Sequence, residues 1–213
     1  MASHSSRKQR ILVGAGGHGR VLFDLLVGQG MRFDSVLDDE PRDRSVFGER
    51  VRATSEADWS SWGSFEFAIG IGNNEIRKEK FDELLRLGGT PMNLIHSTAF
   101  ISGQARLGMG VAALGNSFLG TDCQVGANVI INTGASVDHD CRIADHVHLC
   151  PGVRLSGTVV IGEGVFVGTG TSVANNLSIG AWSVIGAGSV VVKDLPPYVL
   201  AYGNPARVVS SLR

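Results

Sequence analysis

The stretch that decides the fold is Val125–Leu149, "VGANVIINTGASVDHDCRIADHVHL". Read in sixes, each block opens on an aliphatic residue: Val125, Ile131, Val137, Ile143 and then Leu149. The phase holds outward in both directions. It runs back through Leu119, Ala113, Leu107 and Ile101, and forward through Leu155, Ile161, Val167, Val173, Ile179, Ile185 and Val191. The residue four places after each is usually small or Val, as at Ala105, Ser117, Cys123, Ala135, Cys141, Thr171 and Ser183. An unbroken hexapeptide period of this kind means a parallel β-helix. Each block makes one flat side of a triangular coil, points its aliphatic residue inward and turns a corner on small or polar residues. Three blocks close a coil of about 18 residues, and successive coils pair like neighbouring strands about 4.8 Å apart. The phase never slips, so no long loop interrupts the solenoid between residues 101 and 191.

Ahead of this segment the period is different. "RILVGAG" (10–16) is a short apolar strand. "GRVLFDLLVGQG" (19–30) places Val21, Leu22, Leu25 and Leu26 at helical spacing and stops on Gly28 and Gly30. "FDSVLDD" (33–39) and "FEFAIGIG" (65–72) read as further strands. "NEIRKEKFDELLRLGG" (74–89) is an amphipathic helix with Ile76, Phe81, Leu84 and Leu85 on its apolar stripe, and "PMNLIH" (91–96) closes the unit as a last strand. The β-α-β-β-α-β order predicts a small, mostly parallel sheet. The division expected is a disordered tail over 1–9, a Rossmann-like unit over 10–96, a β-solenoid over 97–195 and a C-terminal extension over 196–213, an α/β unit followed by a β-solenoid.

Bulk composition agrees. Twenty-nine glycines and 7% aromatics among 213 residues suit short strands and many turns. A formal net charge of -1 gives no general attraction to nucleic acid or anionic lipid. No apolar run approaches the roughly 20 residues that span a bilayer, and "MASHSSRKQR" has no apolar core of a secretory signal. Cys123, Cys141 and Cys150 are odd in number and contain no CxxC, so no disulfide framework is expected. A cytoplasmic location follows as the expectation.

The polar residues of the solenoid concentrate in 131–152: Asn132, Asp138, His139, Asp140, His146 and His148. His139 and Asp140 follow the inward Val137 and fall near a corner, where their side chains reach outside the prism. A histidine beside a carboxylate suits a general base, because the carboxylate orients the imidazole and stabilises its charged form; an incidental surface histidine reads equally well from chemistry alone. His148 lies nine residues on, half a coil away, so the two project in different directions from one prism. They serve one site only across a subunit interface, which predicts active sites between the subunits of a three-fold assembly. His146 is read as a solvated corner. The spacing of the three histidines does not suit zinc, which takes three protein ligands at one locus, so no metal is expected.

The other motif is "GAGGHG" (14–19), with Gly14, Gly16 and Gly19 in the G-x-G-x-x-G pattern after a strand. Gly16, Gly17, His18 and Gly19 open a helix whose backbone N–H groups can meet phosphate oxygens. Asp38 and Asp39 follow at the spacing of a ribose ligand. Yet the unit holds one mononucleotide half, not two, so NAD and hydride transfer are excluded.

In order along the chain, "GAGGHG" (14–19), "LDD" (37–39), "AIGIGNNEIRK" (68–78), "NLIH" (93–96), "INT…VDHDC" (131–141), His148 and "GNPAR" (203–207) resemble the PglD-type nucleotide-sugar N-acetyltransferases of the bacillosamine pathway. The chain is similar also to the perosamine N-acetyltransferases and sialic-acid O-acetyltransferases of the same superfamily. The resemblance implies that the β-helix is left-handed and that prisms associate as homotrimers. It implies acetyl transfer from acetyl-CoA to the 4-amino group of a nucleotide-linked 4-amino-4,6-dideoxy sugar. His139 would be the base and Asp140 its orienting partner. Gly14, Gly16, Gly17, His18, Gly19, Asp38, Asp39, Asn73, Asn74 and Asn132 would bind the sugar nucleotide. His148, the backbone N–H of Gly157, and Gly186, Ala187 and Gly188 would meet acetyl-CoA. Lys193 and Arg207 are candidates for the CoA phosphates, with surface solubility an equal reading. Bacillosamine enzymes carry Glu where this chain has Asp140, as the perosamine relatives do; "LDD" and "IGNN" favour a UDP sugar over a GDP sugar. An O-acetyltransferase of a sialic acid and a non-catalytic trimeric binding protein are the rival readings.

Overall fold

The computed structural model describes residues 8–41, 45–46 and 48–213. The tail expected over 1–9 lies, as far as residue 7, outside the described residues. The chain divides into two units. One reaches to Gly72 and includes Glu79–Met92; the other takes Asn73–Lys78 and Asn93–Arg213.

The first unit is a sheet of six strands with helices. Its elements are β1 (Gln9–Val13), α1 (Gly17–Gly28), β2 (Ser35–Asp38), β3 (Ser45–Val46), β4 (Glu49–Ala53), α2 (Trp59–Trp62), β5 (Phe65–Ile69), α3 (Asn74–Arg86), whose residues up to Lys78 belong to the second unit, and β6 (Gly89–Pro91). The order across the sheet is β3-β4-β2-β1-β5-β6, parallel throughout except for the β3–β4 hairpin. The hairpin and α2 are absent from the sequence reading. Ile11, Leu12 and Val13 of β1 and Val36 and Leu37 of β2 are all buried, the continuous apolar run of strands covered on both faces.

Helix packing corrects three side chains. On α1 the buried stripe is Gly19, Leu22, Phe23, Leu25 and Leu26, and Val21 is exposed. On α3 Phe81 and Leu84 are buried as expected, whereas Ile76 and Leu85 face outward. The remaining buried positions of that helix are polar, Asn74 and Arg77. They continue the same face at i, i+3, i+7 and i+10 from residue 74.

The second unit is the solenoid. Two-residue strands stack in three parallel ladders whose partners are 18 residues apart, as in Ala113↔Ile131, Val137↔Leu155 and Ile143↔Ile161. All the phased aliphatics from Ala113 to Val191 are at most 5% exposed. Cys123, Ala135, Cys141, Thr171 and Ser183, four residues after an aliphatic, are fully buried. The strand expected over 91–96 divides: Gly89–Pro91 is β6, while Leu94–Ile95 pairs with Ala112–Ala113 in the solenoid. At the far end Val199–Tyr202 pairs with Val184–Ile185, and Arg207–Ser211 closes against it as an antiparallel hairpin.

The corners also keep the period of six. From Gly110 through Asn116, Asp122, Asn128, Gly134, Asp140, His146, Gly152, Thr158, Gly164, Gly170, Asn176 and Trp182 to Gly188, each has φ between 56° and 72°. Only Gly adopts this left-handed conformation freely, with Asn and Asp next. That preference accounts for most of the residues at these corners, and it makes Asp140 a corner residue.

Candidate active site

Asp140 turns the corner at φ 60° directly after His139, and Oδ2 of Asp140 lies 2.8 Å from Nδ1 of His139. Both side chains are exposed, 55% for His139 and 56% for Asp140. The hydrogen bond from Asp140 raises the pKa of the imidazole above its ordinary value; slight desolvation opposes this, and the Asp138 and Asp140 charges add to it. The His139 main chain is fixed as well, its N–H donating to Asp138 Oδ1 at 3.0 Å and its carbonyl accepting from Thr158 N at 2.9 Å. With Nδ1 protonated toward Asp140, Nε2 is left as the basic nitrogen. One coil on, Gly157 faces the ring. Its N–H makes no hydrogen bond among the described residues.

Asn132 and His148 meet at a second place on the prism. Asn132 Nδ2 lies 3.1 Å from His148 Nε2, and the Phe166 ring meets the imidazole edge-on at 5.2 Å. His148 is 7% exposed and sits on a different ladder from the strand that leads into His139.

His146 corrects the sequence reading. It is no solvated corner but 6% exposed, with Nδ1 2.9 Å from Asn128 Nδ2 and its carbonyl accepting from Arg77 Nη2 at 2.7 Å. Arg77 also donates from Nε to the Asn128 carbonyl at 3.4 Å. Burial lowers the Arg77 pKa to about 9, against a smaller opposing effect of Cys150, so the group is charged at neutral pH. Sequence reasoning missed Arg77 and Asn128 because a buried arginine carries no periodic signal. Asn74 belongs with them: it is buried, and its Nδ2 donates to the carbonyls of Gly164 and Val165 at 3.0 and 3.1 Å. Asn73 caps α3 by accepting from the Ile76 N–H at 3.0 Å. Both asparagines therefore have structural partners at the positions read as sugar ligands.

In the glycine turn the residues separate by role. A Cβ on Gly14 would lie 2.8 Å from the Ile71 side chain, and Gly14 has φ 96°. A Cβ on Gly19 would run into the Gly14 carbonyl, and one on Gly70 into Gly19. Gly14, Gly19 and Gly70 thus pack backbone on backbone, and Gly70 is a member the sequence reading did not single out. A Cβ on Gly16 or Gly17 would meet nothing within 4 Å. Gly16 is the N-cap of α1, and no acidic side chain occupies the first turn. His18 is half-buried beside them. The turn is an open cradle of N–H groups suited to an anion.

Asp38 underpins that cradle. Its Oδ2 accepts from the Ala15 N–H at 2.7 Å and its Oδ1 from the Glu40 N–H at 2.9 Å. Asp39 is paired with Lys80 at 3.1 Å. Toward the solenoid's end, the Gly186 carbonyl accepts from Thr171 Oγ1 and Ser189 Oγ, and a Cβ there would meet Tyr202 at 2.7 Å. Ala187 is exposed, and Gly188 stands open at φ 69°. Lys193 and Arg207 are exposed.

Fold and polar corner together define a class, the hexapeptide-repeat acyltransferases built on a left-handed parallel β-helix. Residues 10–84 match the PglD N-terminal domain family, and residues 158–193 the bacterial transferase hexapeptide family of six repeats. The chain belongs to the PglD-type nucleotide-sugar acetyltransferases. It is similar to PerB from Caulobacter crescentus, solved in complex with CoA and GDP-perosamine, at 36% identity and a TM-score of 0.90 over 95% of this chain and 97% of that one. It is similar to the acetyltransferase domain of PglB from Neisseria gonorrhoeae, solved with acetyl coenzyme A, at 32% identity and 0.86 over 95% and 100% of the two chains. WeeI from Acinetobacter baumannii matches at 25% identity and 0.85, over 94% and 99%. Among the described residues no helix is long and apolar enough to cross a membrane.

Proposed function

We propose that the protein transfers the acetyl group of acetyl-CoA to the 4-amino group of a nucleotide-linked 4-amino-4,6-dideoxy sugar, with His139 as general base. The observation that carries this reading is the exposed pair in which Asp140 holds Nδ1 of His139 at 2.8 Å and leaves Nε2 basic. Nε2 takes the proton of the sugar amine as its nitrogen attacks the thioester carbonyl. A tetrahedral oxyanion forms, and the Gly157 N–H is assigned as its donor. Collapse expels the CoA thiolate, which takes up a proton, and leaves the N-acetyl sugar.

The sugar nucleotide is assigned to the α1 cradle, its diphosphate at Gly16, Gly17 and His18, with Asp38 holding the loop in shape. Asn132 and His148 are assigned to the reacting groups, and Gly186, Ala187 and Gly188 to the pantetheine. The acting unit is a homotrimer, supported by the placement of His139 and His148 on different sides of one prism.

Uridine is the base expected from "LDD" and "IGNN". Half of that support falls away, since Asn73 and Asn74 have structural partners. The likeness to PerB, solved with GDP-perosamine, favours guanosine as the second reading. A thiol-release assay with acetyl-CoA and the UDP-linked amine, its GDP-linked counterpart and free sialic acid tests all three. Release with either amine supports N-acetylation and names the base. Release with sialic acid alone moves the protein to the O-acetyl class and sinks the proposal.

A further inference from the structure

A Cβ at residue 157 would lie 2.5 Å from both Cε1 and Nε2 of His139 and 3.1 Å from Nδ1. Real Cβ atoms do not approach rings that closely, so the imidazole occupies the volume that any other side chain at 157 would fill. Gly157 has no room to withdraw. The Thr158 N–H donates to the His139 carbonyl at 2.9 Å on one side, and the Gly157 carbonyl accepts from the Asn176 N–H at 3.1 Å on the other. These ladder bonds fix the spacing between the coils. The backbone of Gly157 is also not in the left-handed region, so nothing in its own conformation demands glycine. What demands it is the ring next to it.

We infer that Gly157 is a positioning residue: its missing Cβ is what lets the His139 imidazole lie back over the next coil with Nδ1 on Asp140 and Cε1 and Nε2 over Gly157. With any larger residue there, the ring swings out to solvent, the route its exposure leaves open. That swing breaks the 2.8 Å contact with Asp140 and carries Nε2 away from the amine. The inference rests on the proposed role of His139 for its catalytic consequence, but the placement of the ring stands apart from that role. Gly157→Ala is a clean probe, because alanine keeps the backbone N–H and the local conformation. A loss of activity then reports the ring and not the donor.

Two measurements test it. The first follows the Cε1 proton of His139 by NMR through a pH titration, in the parent and in Gly157→Ala. The parent titrates above the ordinary imidazole range and the variant falls back to it; an unchanged titration overturns the inference whatever the substrate proves to be. The second is a kinetic cycle with His139→Ala. Gly157→Ala alone lowers kcat roughly 10- to 100-fold, the usual cost of displacing a reacting group by about 1 Å, while KM for acetyl-CoA changes less than about twofold. In the His139→Ala background the same substitution leaves the residual rate unchanged, since no ring remains to displace. Equal losses in both backgrounds would mean that Gly157 acts by itself, and would overturn the inference. The His139→Ala background also has space for the methyl, so the double variant folds even if the single one does not.

Discussion

Oδ2 of Asp38 accepts a hydrogen bond from the N–H of Ala15 at 2.7 Å, across 23 residues of sequence. The carboxylate therefore holds the turn that opens α1 from behind, in the place where the sequence suggested a ribose ligand. Asp38→Ala removes that hold and frees the loop. KM for the nucleotide sugar should rise roughly 10- to 100-fold, the range for a lost bond to a charged group, and KM for acetyl-CoA should stay within about twofold. Steady-state kinetics with each substrate varied in turn decides it; equal effects on both would detach Asp38 from the nucleotide cradle.

Glycines of one motif should respond in opposite ways. Gly19→Ala drives a methyl into the Gly14 carbonyl, which is backbone and cannot yield, so the N-terminal unit should melt at a markedly lower temperature. Gly16→Ala meets nothing and should leave the melting curve in place while weakening nucleotide binding. Calorimetry and nucleotide titration on the two variants give the comparison; similar melting losses in both would refute the division of roles.

His139→Ala should lower turnover by roughly 10²- to 10⁴-fold, the span for a lost general base, with the melting temperature intact because the ring is exposed. Near-normal turnover would remove His139 from the chemistry.

The base form of His139 is the deprotonated one, and its pKa is raised chiefly by Asp140. Activity should therefore begin to fall, as pH drops, from above the ordinary imidazole value of about 6.5. Asp140→Asn removes the carboxylate, so the acid limb of kcat/KM should move to lower pH while the plateau drops roughly tenfold or more. A limb that stays where it was in the parent would show that some other group sets it.

Arg77 is 1% exposed and donates to carbonyls of Asn128 and His146. Arg77→Ala leaves those acceptors buried and opens a cavity, and should cost about 3 kcal/mol of stability. Denaturant unfolding of the variant measures it; a loss under about 1 kcal/mol would mean the network contributes little.

The solenoid was legible in the sequence because its rule is local and repeats. Every sixth residue must fill the same prism, so the aliphatic phase from Ile101 to Val191 carries the architecture, and the small residues four places on carry its packing. The pair at the candidate site was legible for the same reason: His139 and Asp140 are adjacent, and a corner presents adjacent side chains together. Helix faces were read less well. Hydrophobicity placed Ile76 and Leu85 inward, whereas α3 buries Asn74 and Arg77, whose partners lie as much as 91 residues away.

What the sequence by itself determined is a small parallel sheet followed along the chain by a parallel hexapeptide prism, with a His–carboxylate corner and a glycine turn. What only the tertiary structure decided is which neighbour each of those groups has. Gly157 comes under the His139 ring because ladder bonds stack residues one coil apart. Gly70 closes on Gly14 and Gly19 because β5 runs beside β1. His146 is buried because Arg77 and Asn128 reach it from outside its own coil. Periodicity fixes where a residue points; contacts between distant segments, which no local pattern encodes, fix what it meets.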